Sequence, residues 1–217
     1  DLEKSHEDIE SAVSKLASNG VLPLSVGGDH SISLPILRAL GKEKPVGMIH
    51  IDAHCDTAGP FDGCRFHHGG PFRQAVLDGV LDPERTIQIG IRGGLYTPED
   101  KDWGLEQGIR VIEIEEYFDL GPDKVGQLAR EVVGTGPVYV SFDVDGLDPV
   151  YTPGTGTPEI GGYSTHDAQK MLRALRGLDI VGADVVEVSP PYDPSGATAL
   201  VGVTMMWELL CMMAEKV

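Results

Sequence analysis

Cysteine is scarce in this chain. Cys55, Cys64 and Cys211 are three in 217 residues, odd in number and too few for a disulfide scaffold. Reduced thiols, and with them a cytoplasmic location, are the expectation. Basic residues are scarce as well: 17 Lys and Arg face 34 Asp and Glu, a formal net charge of -17. That balance excludes nucleic acid and anionic membranes as partners, since both require a basic surface. No signal peptide is evident, nor any apolar run of the roughly 18 residues that a membrane span needs. Internal repeats, low-complexity tracts and interdomain linkers are also missing. One α/β domain over residues 1–217 is therefore expected, with 41% hydrophobic residues to supply its core.

What the chain does have is three aspartate-dense islands. They are Gly27-Gly28-Asp29-His30-Ser31, Asp52-Ala53-His54-Cys55-Asp56 and Ser141-Phe142-Asp143-Val144-Asp145. Each follows a short apolar run that reads as a buried strand: Val21 to Val26, Val46 to Ile51, and Val138 to Phe142. Polar residues directly after such runs stand at strand carboxyl ends, where open α/β sheets place their sites.

Helical and strand signals alternate along the chain, which predicts a mostly parallel sheet covered by helices on both faces. Helices are expected over Leu2 to Ser18, Ser31 to Leu40, Phe72 to Asp78, Asp123 to Val133 and Ala197 to Glu215, with another capped near Ser164 or Thr165. Further strands are expected over Thr86 to Ile91, Arg110 to Ile114, Pro137 to Phe142 and Ile180 to Val188. Asp145 to Gly162 has no periodicity and directly follows two of the island aspartates. A stretch so long and irregular in a compact domain is read as a wall of the site mouth.

Asp52, His54 and Asp56 alternate at a spacing of two, so in extended backbone all three point one way. Asp143 and Asp145 repeat that spacing, and His30 approaches after two glycines. Cys55 between them is read as a packing residue. Two imidazoles and four carboxylates form an oxygen-rich donor set that suits a pair of Mn²⁺ ions better than zinc. Ni²⁺ and Co²⁺ tolerate the same ligands. Two such ions stabilise negative charge developing on an attacked centre. The expected class is a two-metal hydrolase.

Together with Ser-Phe-Asp-Val-Asp-Gly-Leu-Asp-Pro, the loop Pro153-Gly154-Thr155-Gly156-Thr157-Pro158 and Val186-Glu187-Val188, the islands resemble the ureohydrolases: arginase, agmatinase and the guanidino-acid hydrolases. The resemblance covers essentially the whole chain. It implies a three-layer α/β/α arginase-like fold and hydrolysis of a guanidinium group to urea and an amine. It also implies that one metal takes His30, Asp52, Asp56 and Asp143, and the other His54, Asp52, Asp143 and Asp145. Asp52 and Asp143 would bridge, and a hydroxide between the metals would be the nucleophile. Glu187 matches the glutamate that pairs with the guanidinium, and His68 the histidine of proton transfer at the mouth. His67 beside it is read as an ordinary loop residue. Family members form trimers or hexamers, so a homo-oligomer is expected, with a small guanidino compound as its substrate partner.

Two departures from the family pattern stand out. Family members carry an additional amino-terminal segment, whereas this chain opens inside a helix at Asp1-Leu2-Glu3-Lys4. Arginase-like sequences also place acidic residues after a strand-end arginine to hold the substrate α-amino group. Here the stretch reads Gly90-Ile91-Arg92-Gly93-Gly94-Leu95-Tyr96, without a carboxylate. An ammonium there loses its charge-assisted hydrogen bonds, which disfavours arginine. The segment Arg65 to Ala75 points to the guanidino-acid branch (guanidinobutyrase, guanidinopropionase), with Arg65 or Arg73 a candidate to neutralise a substrate carboxylate. Agmatine is the alternative substrate, and a catalytically silent subunit of the same fold the alternative role.

Overall fold

In the computed structural model of this protein, residues 1–95 and 97–215 are described, so Tyr96 of the strand-end stretch and the last two residues lie outside the described set. Six parallel strands form one sheet: β1 (Leu24–Val26), β2 (Val46–Ile51), β3 (Leu81–Ile91), β4 (Arg110–Glu113), β5 (Val138–Asp143) and β6 (Ile180–Val186). Their spatial order is β1-β6-β5-β2-β3-β4. The helices are α1 (Leu2–Ala17), α2 (Ser33–Gly41), α3 (Pro71–Leu77), α4 (Glu99–Gln107), α5 (Ile114–Leu120), α6 (Pro122–Val133), α7 (Thr165–Arg173) and α8 (Ala197–Ala214).

Strand periodicity explains the layering. Every residue of β2 is buried, because alternate side chains enter different cores. Ile49 and Ile51 face one core, which includes Val125 and Ala129 of α6, Met171 of α7 and Leu209 of α8. Val46 and Met48 face the other, with Val13 of α1, Leu37 of α2 and Phe72 of α3. The three-layer α/β/α arrangement follows, and it leaves the carboxyl edges of the strands free to carry the site.

The structure departs from the sequence expectations at several elements. β1 starts only after Pro23, which has no N–H to donate to a ladder. β3 starts earlier than Thr86, because Val46 pairs with Leu81 and Met48 with Thr86, and the polar stretch around Pro83 bulges out between them. α4 and α5 are additional. α4 has three acidic residues in its first turn, which favour that helix end electrostatically, but little apolar periodicity to announce it. The Asp100 carboxylate also accepts from the Thr97 backbone N–H and hydroxyl. α7 begins on a capping box in which Ser164 and Asp167 satisfy one another's backbone N–H groups.

One exclusion drawn from the sequence is corrected. α8 is an 18-residue helix of mean hydropathy 1.6, long and apolar enough by composition to cross a membrane, and a third of it is buried. Thr204, Trp207 and Glu208 interrupt its apolar run and hide it in the sequence. Glu208 accepts hydrogen bonds from Gln169 and Arg173 of α7, and Met205 and Leu209 pack into the core.

Candidate metal and guanidine site

The three islands converge as expected, though not by simple strand alternation. β2 ends at Ile51, and Asp52 to His54 lie in a bend beyond it. Asp56 sits in left-handed backbone at φ 51°. Asp143 is the last residue of β5, and its carboxylate accepts the Asp145 N–H at 2.7 Å, opening a short 3-10 turn. His30 opens a similar turn capped by the Asp29 side chain. Turning rather than continued extension brings the side chains together.

His30 and His54 organise two adjoining groups. His30 Nδ1 lies 2.9 Å from Asp56 Oδ2, 3.2 Å from Asp143 Oδ2 and 3.3 Å from Asp52 Oδ2. His54 Nδ1 lies 3.1 Å from Asp145 Oδ2 and 3.4 Å from Asp52 Oδ1. Asp52 thus faces both histidines, one through each oxygen. Asp143 faces His30 with Oδ2 and spends Oδ1 on the Asp145 backbone.

The electrostatics of this cluster call for cations. Burial pushes the Asp143 carboxyl well above the usual carboxylate range, and the charges of Asp145 and Asp52 add to it. Burial and Asp52 likewise push Asp145 up to about 7. Burial opposes ionisation of Asp52 too, but His50, His30 and His54 outweigh it and hold that carboxyl well below its ordinary value. His54 shows the reverse balance: desolvation lowers it, yet Asp145 and Asp52 raise it to about 12. Crowded buried carboxylates of this kind are stable when protonated or neutralised by a metal.

A direct test of fit comes from His30. Its Nδ1 is fully buried, has no hydrogen-bond partner among the described residues, and faces three carboxylates. An aromatic nitrogen lone pair aimed among carboxylate oxygens is the donor set of a divalent cation site. Atoms of His30, His50, Asp52 and Asp56 lie within 4.8 Å of one another, as do those of Asp52, His54 and Asp145.

Glu187 follows β6 at the same edge of the sheet, and its left-handed backbone, φ 62°, ends the strand before Val188. Its Oε1 accepts the His30 backbone N–H at 2.7 Å and lies 3.6 Å from His68 Nδ1. Among the described non-glycine residues, only Asp56, Asp62 and Glu187 have positive φ. Two of those three are site residues, and backbone strain of this kind concentrates at functional sites. The Glu187 carboxylate facing it raises the His68 pKa above its ordinary value.

A cavity of about 250 Å³ opens over the cluster, lined among others by His68, Asp143, Asp145, Glu159 and Glu187. Its wall includes Thr157 and Pro158, so the loop from Asp145 to Gly162 does border the mouth. Cys55 is buried, and desolvation raises its thiol to about 12, which agrees with a packing role. His67 is spent on the Gly59 carbonyl at 2.8 Å.

Neither arginine considered for a substrate carboxylate reaches this cavity. Arg73 lies over the Trp103 ring at 4.6 Å and donates to the Thr57 carbonyl, while Arg65 lies over Phe66 at 5.4 Å. Both guanidinium groups are held by aromatic faces away from the mouth. No Lys or Arg lines the cavity among the described residues.

Four further residues went unrecognised in the sequence. His50 Nε2 binds Asp52 Oδ2 at 2.7 Å, with its Nδ1 held by Gln88. The signal was present, since residue 50 extends the spacing 52, 54, 56 backwards. Glu159 at the rim accepts the Gly94 N–H and lies 3.7 Å from His54 Nε2. Arg92 donates to the carbonyls of Gly90, Asp145, Gly146, Leu147, Glu159 and Ile160, pinning both ends of the mouth loop. No local pattern announces the roles of Gln88, Glu159 or Arg92.

A parallel sheet carrying this histidine–carboxylate cluster at its carboxyl edge has the donor set of a metal-dependent hydrolase. A profile of the arginase family matches residues 1–212. The chain is 59% identical to guanidinopropionase of Pseudomonas aeruginosa over 217 residues, all of this chain and 68% of that protein. It is 48% identical to guanidinobutyrase of the same organism over 206 residues, 94% of this chain and 65% of that one. Proclavaminate amidino hydrolase from Streptomyces clavuligerus superimposes with a TM-score of 0.94 at 40% identity, covering 99% of this chain and 71% of that one. This chain belongs to the arginase family, and it spans about two thirds of the length of these relatives.

Proposed function

We propose that this protein hydrolyses a linear guanidino acid of the size of 3-guanidinopropanoate or 4-guanidinobutanoate. Guanidinium and water give urea and the protonated amine. The observation that carries the proposal is the placement of Glu187 at the cavity, beside the cluster built around His30 and His54. The similarity to guanidinopropionase and guanidinobutyrase, and the lack of a carboxylate at Gly93-Gly94, support the guanidino-acid assignment.

His30, Asp52, Asp56 and Asp143 would hold one divalent ion, and His54, Asp52, Asp143 and Asp145 the other. We assign Mn²⁺ to both positions on the oxygen-rich donor set, with Ni²⁺ and Co²⁺ as alternatives. When bound, such a pair supplies Lewis acidity and an activated water. The protein supplies the positioning. Glu187 pairs with the planar guanidinium through charge-assisted hydrogen bonds and presents its central carbon to the cluster. The departing amine needs a proton, which His68 carries at the mouth: Glu187 keeps its imidazole protonated to higher pH than an ordinary histidine.

Agmatine is the second reading. Its cationic tail suits the rim carboxylate of Glu159 and a cavity without Lys or Arg among its described lining residues. Urea release from 3-guanidinopropanoate, 4-guanidinobutanoate, agmatine and arginine, with metal content measured on the same sample, separates the readings. The highest kcat/KM is expected for a guanidino acid, and a preference for agmatine would move the assignment. No urea from any of the four, with two metals bound, would leave a catalytically silent subunit. Asp143→Ala is expected to lose metal and activity together, whereas Asp29→Ala, which only caps a turn, keeps its metal.

We further place the protein in the cytoplasm, a setting its three free thiols support, and assign it a homo-oligomeric state, trimer or hexamer. The apolar outer side of α8, with Leu200, Val203 and Trp207 all more than 60% exposed, supports self-association. Light scattering of the purified protein measures that state directly.

A further inference from the structure

Behind the metal cluster lies a buried hydrogen-bond chain that the proposed chemistry does not use. Asp184, on β6, is fully buried. Its Oδ2 accepts the Ser33 hydroxyl at 2.5 Å and the Tyr139 hydroxyl at 2.5 Å, and its Oδ1 accepts the Ser141 hydroxyl at 2.7 Å. Ser141 Oγ in turn lies 2.8 Å from His30 Nε2. All of these side chains, Ser33, Tyr139, Ser141 and His30, are fully buried. They come from α2, β5 and the turn after β1, and meet Asp184 from β6.

The direction of each bond in this chain is determined. A hydroxyl has one proton and two lone pairs. Ser141 gives its proton to the Asp184 carboxylate, which has none to give back, so toward His30 it can only accept. His30 must therefore carry a proton on Nε2. In neutral imidazole the other nitrogen is then bare, and that nitrogen is the unpartnered Nδ1 aimed at Asp52, Asp56 and Asp143. Ser33 and Tyr139 fill further lone pairs of Asp184 and hold its carboxylate in place.

We propose that Asp184, acting through Ser141, is a positioning residue that holds His30 in the Nε2–H form and so presents Nδ1 as a metal ligand. The proposal rests on the two-metal reading above. It implies that one ion, the one nearest His30, depends on Asp184, while the ion nearest His54 does not. Partners of this kind behind a metal-bound histidine change affinity by about 10- to 100-fold.

The variants Asp184→Asn and Ser141→Ala test this. In Asp184→Asn the amide nitrogen offers a donor to Ser141, freeing the serine proton to turn toward His30 Nε2. The imidazole proton then moves to Nδ1, where the metal should bind. In Ser141→Ala the Nε2–H simply loses its acceptor, a milder change that keeps the test decisive should the asparagine variant not fold. Mn²⁺ titration calorimetry with proton release, and electron paramagnetic resonance of the loaded protein, provide readouts independent of turnover.

The expected result is one Mn²⁺ bound as tightly as in the unmodified protein and one weakened by roughly 10- to 100-fold. The coupled-pair spectrum should give way to the six-line signal of a single ion. Both tautomers of neutral imidazole carry one proton, so Asp184→Asn should weaken that ion without changing the number of protons released on binding. Ser33→Ala also removes a bond to Asp184 but leaves the Ser141 proton where it is. It should lower Tm with the affinity of both ions retained. Equal affinity for both ions in folded Asp184→Asn or Ser141→Ala overturns the proposal, as does a loss in Ser33→Ala matching theirs. An unmodified protein that binds fewer than two ions instead overturns the two-metal reading beneath it.

Discussion

Gly93→Ala is the substitution for which the structure gives the sharpest consequence. A Cβ at residue 93 would stand 2.3 Å from His54 Cδ2 and 2.5 Å from His54 Nε2. Carbon atoms in contact settle at about 3.5 Å or more, so the ring must retreat by roughly 1.2 Å (about 3.5 less 2.3). The backbone cannot readily give way instead, because the N–H groups of Arg92 and Gly93 both donate to the Ala53 carbonyl at 2.8 Å. His54 therefore moves off Asp145 and Asp52, to which its Nδ1 is now 3.1 and 3.4 Å distant. Misplacement on the order of 1 Å costs about 10²-fold in rate, or roughly 2.7 kcal/mol of transition-state stabilisation at about 1.36 kcal/mol per decade.

The paired control is Gly94→Ala. Among the described residues nothing lies within 4 Å of a Cβ there, so its kcat/KM should stay within about twofold, the range of a surface change near 0.5 kcal/mol. Urea assays under metal saturation, together with metal content by mass spectrometry, read both effects. Gly93→Ala should lose one ion of the pair and keep the other. Wild-type kcat/KM with two ions bound in Gly93→Ala would refute the reasoning, since His54 would then tolerate displacement or the ion would not need it.

Glu187→Gln keeps the shape of the side chain but offers a donor where a guanidinium needs an acceptor. A fall of about 10²-fold in kcat/KM with both metals retained is expected, and lost metal would reassign Glu187 to a structural role. For His68, a protonated imidazole as proton carrier makes activity fall as pH rises through a folded-state pKa above 6.5. Glu187 raises that pKa, so its stabilising pair with His68 is complete below the unfolded value and disappears as pH rises past the folded one. The stability effect is small at a side chain 38% exposed, but the alkaline limb of the kcat/KM profile should disappear in His68→Gln. A limb that persists there belongs to another group. Arg92→Lys replaces a planar five-donor fork with three donors on one nitrogen against six carbonyls. Thermal unfolding should report a loss of at least about 2 kcal/mol, accompanied by a raised KM as the mouth loop loosens. An unchanged Tm would mean that the loop is held elsewhere.

The fold class was legible because its cause is local. Short apolar runs alternating with amphipathic segments bury only as strands between helix layers, and β2, β5 and β6 lie within a residue or two of where the runs place them. The identities of the six candidate ligands were legible for the same reason: unpaired polar residues directly after buried strands have nowhere to be but the carboxyl edge of the sheet. How those ligands meet was not legible. Extended alternation predicts a shared direction for Asp52, His54 and Asp56, yet the chain has already left the strand and turned through left-handed backbone at Asp56.

Other parts of the site exist only in three dimensions. His50 reads as a core strand residue until Gln88 of the neighbouring strand and Asp52 enclose it. Ser141 was visible inside an island, but Asp184, 43 residues away, is needed to set the direction of its hydroxyl. Arg65 and Arg73 look like carboxylate binders in a string of letters, and packing against Phe66 and Trp103 withdraws them. Strand periodicity constrains a residue relative to its near neighbours, so sequence determined which donors this protein has and the edge on which they stand. Hydrogen-bond direction, ring orientation and the space around Gly93 depend on atoms brought in from distant segments, and only the tertiary structure decided those.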